Sequence, residues 1–187
     1  MATAKGAEKW KQKVWLDVHA PQSLGNEIIG SVPSNDEEHA IGKTIKVSLS
    51  WLTHNPNHAF FSVGLKINNA AGSVANTDVA YLEGQYGYLH SLVKRHATSI
   101  YTNDKVKTKD GKEMTAKLLV TTQNKIAEKK KKEIRKKITE FLTGYAASHD
   151  KDEIVKSAIG SEMQKDGTAT LKKIAPIAKL EIKKVEF

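Results

Sequence analysis

The segment IYTNDKVKTKDGKEMTAKLLVTT, residues 100–122, leaves its backbone little choice. Two runs of alternating character flank Lys109-Asp110-Gly111-Lys112, and Asp-Gly is a favoured pair for a tight hairpin turn because both residues tolerate positive φ. A hairpin is predicted, and with it an antiparallel sheet. On its first strand Lys105, Lys107 and Lys109 share one face by the period of two, so with Lys112 the hairpin has a basic tip.

The same alternation recurs along the chain. Val14, Leu16 and Val18 place a strand within residues 10–21 that stops at Pro21, and EIIGSVP supplies another. KTIKVSLSWL alternates through Ile45, Val47, Leu49 and Trp51, and AFFSVGLKI through Phe61, Val63, Leu65 and Ile67. The turn signal NNAAG separates the latter from a weaker strand, SVANTDVAYLEG, and PIAKLEIKKVEF is the last strand. NDEEHAIG reads as a helical turn capped by Ser34 or Asn35. Residues 85–96 keep helical spacing through Leu89, Leu92 and Val93, with Lys94-Arg95-His96 as a last turn whose charge suits the helix dipole. DKDEIVKSAIG gives a further short helix. Many strands followed by late helices predict an α+β fold with an antiparallel, barrel-like β core, a long basic helix and short accessory helices.

The basic helix is KIAEKKKKEIRKKITEF and its continuation to Tyr145. Ile134, Ile138, Phe141 and Tyr145 fall on one stripe, while Lys125, Lys129, Lys132 and Lys136 fall opposite. Between residues 125 and 137 eight Lys or Arg face two acidic residues, so repulsion between like charges is left largely uncompensated. A polyanion would relieve it. Lys130 and Lys137 project about 40° and 60° from Ile134, so the apolar stripe is clean only from Ile134 onward. The C-terminal half is expected to dock on the core and the N-terminal half to lie along RNA.

Charge points the same way. The formal charge is +9, clustered in residues 5–13, 94–112, 125–137 and 172–184, whereas residues 17–38 are acidic on balance. Clustering favours a nucleic-acid footprint or an anionic surface. The modest apolar stripe of the basic helix, without tryptophan, speaks against an interfacial membrane helix. The chain has no cysteine, no apolar run long enough to span a bilayer, and no apolar signal core in MATAKGAEKWKQK; a soluble protein of a reducing, cytoplasmic compartment is expected. Its 187 residues suit one domain over residues 10–187, preceded by a flexible basic arm over residues 1–9.

Several motifs invite chemistry and fail. AIGKT ends like a phosphate loop, but Glu37 occupies the position where the loop requires glycine. His54 and His58 flank Asn55-Pro56-Asn57, which makes an exposed loop rather than a metal-binding helix, and no catalytic grouping surrounds His19, His39, His90, His96 or His149. Asp36-Glu37-Glu38 suits a helix start better than a metal site. Trp10, Trp15, Tyr86, Tyr88 and Tyr101 could stack on bases, although most are expected at the core or its edge. No enzyme, cofactor or metal is indicated.

The order WLDVHAP, IIG, GKTIKVSL, LVKRHATSI with VKTKDG, EIRKKITEF, and KIAPIAKLEIKKVEF resembles the small-subunit ribosomal protein family shared by archaea and eukaryotes, called S-three-a-e or eS-one. The similarity runs from about Trp10 to Phe187. It implies a barrel-like β core on the platform of the small ribosomal subunit, near the messenger exit and the 3′ end of the small-subunit rRNA, with a role in assembly and translation. It also implies rRNA, neighbouring ribosomal proteins and messenger RNA near the exit as partners, and no membrane. RNA contact carries over to Lys94, Arg95, Lys107, Lys109, Arg135, Lys136 and Lys137; charge and pattern add Lys105, Lys112, Lys125, Lys129, Lys130 and Lys132. The chain departs from eukaryotic members in lacking a long basic N-terminal extension and an acidic C-terminal tail, and in a shorter stretch before the basic helix; this compact form resembles archaeal members. The alternative is a non-ribosomal RNA-binding or RNA-modifying protein.

Overall fold

Alternation at Leu16 and Val18 sets the first strand. The computed structural model describes residues 13–187, so the basic arm and Trp10 lie outside the described residues. These residues form two compact units, residues 13–59 with 63–80 and residues 60–62 with 81–187.

In the first unit, β1 (Val14–His19) buries Leu16 and Val18 and turns Trp15 outward. It pairs antiparallel with β2 (Ile28–Ser34), Leu16 opposite Val32, with an irregularity after Val18. β3 (Thr44–Ser48) pairs with β4 (Phe61–Ala71), and β4 with β5 (Val74–Gly84). The β1–β5 pairing is parallel, Val18 opposite Ala75. Leu16, Val18, Ala40, Ile67, Ala70 and Ala75 form the core here, with Ile29, Val32 and Ile45 against it.

Three expectations are corrected in this unit. The strand expected through Leu49 and Trp51 ends at Ser48, and α1 (Leu49–Thr53) follows, burying Leu49 and Leu52 at helical spacing and leaving Trp51 exposed. NNAAG is mostly strand, because the reversal is made by Gly72, at φ 62°, with Ser73. NDEEHAIG forms successive hydrogen-bonded turns, but Ser34 does not cap them: its Oγ donates to the Asp36 carbonyl at 2.7 Å instead of accepting from an N–H. The phosphate-loop look-alike is spent on the sheet: Gly42 N–H donates to the Ile67 carbonyl at 2.9 Å, and Ile67 N–H returns a bond to Lys43 at 2.9 Å.

In the second unit, the end of β5 begins a sheet of order β5-β8-β7-β6, where β6 is Ser99–Lys107, β7 is Glu113–Thr122 and β8 is Ile177–Glu186. All three pairings are antiparallel. Among the described residues no ladder joins β6 to β5, so this sheet is open, compatible with the barrel-like core expected but looser than a closed barrel. α2 (Tyr86–Ser91) follows β5 at once, and Gly84 permits it: a Cβ there would sit 2.8 Å from the Ile182 carbonyl oxygen. α3 (Glu128–Ser148), α4 (Lys151–Ile159) and α5 (Glu162–Lys172) complete the unit. α4 begins with a capping box in which the Asp150 and Glu153 side chains take each other's backbone N–H. α5 carries Gly167 in its middle, where a Cβ would meet Leu180 at 3.1 Å and Phe141 at 3.3 Å.

Candidate nucleic-acid interface

The hairpin of β6 and β7 forms with Lys107 opposite Glu113, but its turn is built differently from the tight turn expected. Thr108 N–H reaches the Lys112 carbonyl at 2.9 Å, and Gly111 N–H reaches Thr108 at 2.9 Å. Lys109, Asp110 and Gly111 make the loop, and of these Gly111 alone has positive φ, 74°. This is the three-residue hairpin with a left-handed glycine.

The tip does not stand free. Lys109 N–H donates to the Ala146 carbonyl at 3.0 Å and lies 3.4 Å from that of His149, filling orphan acceptors at the end of α3. The Asp110 carboxylate accepts the Lys151 N–H at 3.3 Å, and the Lys109 ammonium lies 3.6 Å from Asp150. β6 ends at Lys107, so Lys109 lies in the docked loop and not on the strand row that Lys105 and Lys107 share.

α3 runs along β6 from one end to the other. Ile126 N–H bonds Thr98 Oγ1 at 3.2 Å, Thr139 Oγ1 donates to Asp104 at 2.7 Å, and Ala146 receives Lys109. The helix buries Ile134, Ile138, Leu142 and Ala146, one residue every four. Phe141 and Tyr145, expected on that stripe, are only half-buried, because strict four-residue spacing carries the contact line to Leu142. Lys125 precedes the helix, which starts at Glu128 without a side-chain cap.

Every cation read from the sequence as an RNA contact is exposed. Their pairing differs. Glu128 binds Lys131 at 2.8 Å and reaches Arg135 at 4.0 Å, and Glu140 binds Lys137 at 2.9 Å. Hydrogen bonds and charge from Lys131 hold Glu128 below the usual carboxylate range, and Lys137 does the same for Glu140. Among the described residues, no carboxylate lies within ion-pair distance of Lys129, Lys130, Lys132 or Lys136. Lys129, Lys132 and Lys136 project roughly 140° to 160° from Ile134. Three of these four cations therefore point away from the buried stripe, while Lys130 stands about 40° from Ile134.

Lys94 and Arg95 join this end of the helix by a different route from the one expected. α2 stops at Ser91, and Lys94, Arg95 and His96 lie in a later turn with His96 at φ 62°, so they are not a helix's last turn. Thr98 N–H bonds Thr122 Oγ1 at 3.0 Å, and Thr122 Oγ1 donates to Asn124 at 2.7 Å. These bonds bring Thr98, four residues after Lys94, beside the segment from Asn124 to Ile126 that leads into α3. Lys105, Lys107, Lys109 and Lys112 stand at the opposite end of β6.

The aromatics are less buried than expected. Trp15 is 59% exposed, Tyr86 72% and Tyr101 49%. Tyr88 alone is packed, stacked on Phe60 at 4.6 Å between ring centres. His54 bonds Glu27 at 3.2 Å, and the half-buried His58 bonds Thr53 at 2.8 Å. Among the described residues no three His, Cys, Asp or Glu side chains gather to hold a metal, and no helix is long and apolar enough to cross a membrane.

The sequence model of the Ribosomal S3Ae family matches residues 2–187. The chain belongs to that family. It is one of ribosomal proteins and not of enzymes. Among similar curated proteins, "Small ribosomal subunit protein eS1" of Pyrobaculum arsenaticum is 32% identical over 98% of this chain and 84% of its own length. The protein of that name from Thermoplasma volcanium is 32% identical over 98% and 85%, and that from Methanobrevibacter smithii 28% over 97% and 96%. These relatives are archaeal.

Proposed function

We propose that this S3Ae-family chain is a structural constituent of the small ribosomal subunit that binds rRNA backbone through the outer face of α3 and the Lys94-Arg95 turn. The observation that carries this is the face of α3 formed by Lys129, Lys132 and Lys136, which among the described residues make no ion pair and stand opposite a fully buried stripe. Such a face favours a polyanion, and releasing the counterions of bound phosphates supplies the driving force. The names of the archaeal relatives support the ribosomal setting.

The finer reading places the protein on the subunit platform near the messenger exit and the 3′ end of the small-subunit rRNA. There it supports assembly beside neighbouring ribosomal proteins, with messenger RNA close by, in the cytoplasm. Contacts by Lys105, Lys107, Lys109 and Lys112 belong to the same proposal, with Lys109 also committed to the tip. Density-gradient sedimentation of cell lysate in moderate salt tests it: the protein should travel with small subunits, and a protein found only at the top of the gradient contradicts the reading.

A further inference from the structure

The second unit's sheet has two faces, and α3 lies along one of them. On β6 the other face carries Tyr101, Asn103, Lys105 and Lys107, all exposed. Lys117 on β7 stands opposite Asn103, and Lys184 on β8 opposite Lys117, so they share that face.

A bulge adds to it. The β7–β8 register passes from Lys117↔Lys184 to Leu118↔Ile182, leaving Lys183 as an extra residue. In regular strand Lys183 and Lys184 would point to opposite faces; a bulge can aim both to one side. Here the Lys183 ammonium lies 5.4 Å from the centre of the Tyr101 ring and the Lys184 ammonium 4.6 Å from that of Tyr81. Both lysines also line a cleft of about 210 Å³ with Lys117, Glu83, Gly84, Leu89 and Tyr86. That is below the roughly 300 Å³ of a pocket for a drug-sized molecule, and suits a single planar ring lodged beside Tyr86.

Carboxylates are present too. Glu186 binds Lys184 at 2.6 Å and Lys117 at 3.2 Å, and Glu83 and Glu113 share the face. Glu181, opposite Leu119 and so in line with Tyr101, is a fourth carboxylate and is bound by Lys179 at 2.7 Å, so six lysines against four carboxylates leave the face cationic. Exposed rings interleaved with ammonium groups are the chemistry of single-strand binding: bases stack on aromatics while phosphates take the cations. A duplex hides its bases from such rings.

We infer that this open sheet face, from Tyr101 and Lys183 to the Tyr86 cleft, binds single-stranded RNA, separately from the phosphate-binding face of α3. The inference rests on the reading of the chain as an RNA-binding protein. It is tested on the full chain by fluorescence anisotropy with two probes, an oligouridylate and an RNA duplex of equal length. Tyr101→Ala and Tyr86→Ala are each expected to weaken oligouridylate binding about fivefold or more, with duplex binding changed less than about twofold. Tyr101→Phe keeps the ring and should keep the affinity, which separates stacking from damage to the fold. Combined Lys129→Gln, Lys132→Gln and Lys136→Gln should weaken the duplex instead. Unchanged oligouridylate affinity in both alanine variants overturns the inference, as does parallel loss for both probes. Incorporation into subunits lost with single-strand affinity intact assigns the face to a protein neighbour and also overturns it. If the α3 variant leaves duplex binding intact while the tyrosine variants fail on the single strand, the proposed role of α3 falls and this inference stands.

Discussion

The backbone N–H of Lys109 donates to the carbonyl oxygen of Ala146 at 3.0 Å, so the tip of the β6–β7 hairpin closes the C-terminal end of α3. Asp110 accepts from Lys151 in the first turn of α4, and the loop therefore ties two helix ends together. The helix that carries the lysines proposed to meet RNA is thus held at its C-terminal end by the basic hairpin tip.

From this clamp it follows that Asp110→Ala destabilises the protein by about 1 kcal/mol through loss of its hydrogen bond. Lys112→Gln, which removes an exposed charge, should change stability by less than about 0.5 kcal/mol. Urea denaturation of the two variants decides it. Equal, negligible effects would show the tip to be undocked in solution.

The N-terminal turns of α3 should open more readily than the rest. No side-chain cap closes the helix at Ala127, Lys130 is exposed, and the buried stripe begins only at Ile134. A turn or two of helix bearing like charges is marginal alone. Amide hydrogen exchange on free protein should be fast at residues 128–133 and slow from Ile134 to Leu142, with the first segment protected on adding rRNA. Slow exchange throughout, without RNA, would show that the protein itself holds those turns.

Close backbone approach makes Gly84 intolerant. A Cβ would lie 2.8 Å from the Ile182 carbonyl oxygen, which cannot swing aside as a side chain can. Gly84→Ala should cost about 1 to 3 kcal/mol by overpacking. Gly167→Ala should cost less, because its neighbours Leu180 and Phe141 are side chains at 3.1 and 3.3 Å. Thermal melts of the pair give the order, and a reversed order refutes the packing account.

Alkaline pH should weaken the second unit through Tyr88. Burial raises its pKa above 10.0; the hydrogen bond from Lys179 opposes the shift and Glu181 adds to it. Burial pulls Lys179 down, but its bonds to Glu181 and Tyr88 more than offset this and leave it above 10.5. Both groups hold their protons more tightly folded than unfolded. Their contribution is therefore complete below about pH 10 and is lost as pH rises through the folded transitions. Phenolate absorbance should show one tyrosine ionising late, and Tyr88→Phe should remove that phase; its persistence would assign it elsewhere.

Strands such as β1 and β6 were legible because they alternate and are half-buried, and Gly111 marked the hairpin, whereas Leu118 to Thr122 on β7 are buried throughout and the strand expected through Trp51 gives way to helix. α5 was not legible: Gly167, Thr168 and Thr170 are poor helix formers, and it is the close fit of Gly167 against Phe141 and Leu180 that favours the helix. The outer lysines of α3 were legible from the wheel alone. The pairing of Lys131, Arg135 and Lys137 with carboxylates needed side-chain geometry, and so did the docking of Lys109, since no local pattern states which loop caps which helix. Lys183 and Lys184 gave no sign of sharing a face, because a bulge is set by the pairing of two distant strands.

The most direct test of the account is the salt dependence of affinity for a small-subunit rRNA fragment, measured for the native chain and for the variant with Lys129, Lys132 and Lys136 all changed to Gln. Each phosphate contact contributes roughly −0.7 to −0.9 to the slope of log affinity against log salt. The variant's slope should therefore be shallower by about 2 to 3, with the fold unchanged. An identical slope in both proteins would mean that the outer face of α3 does not meet RNA phosphates.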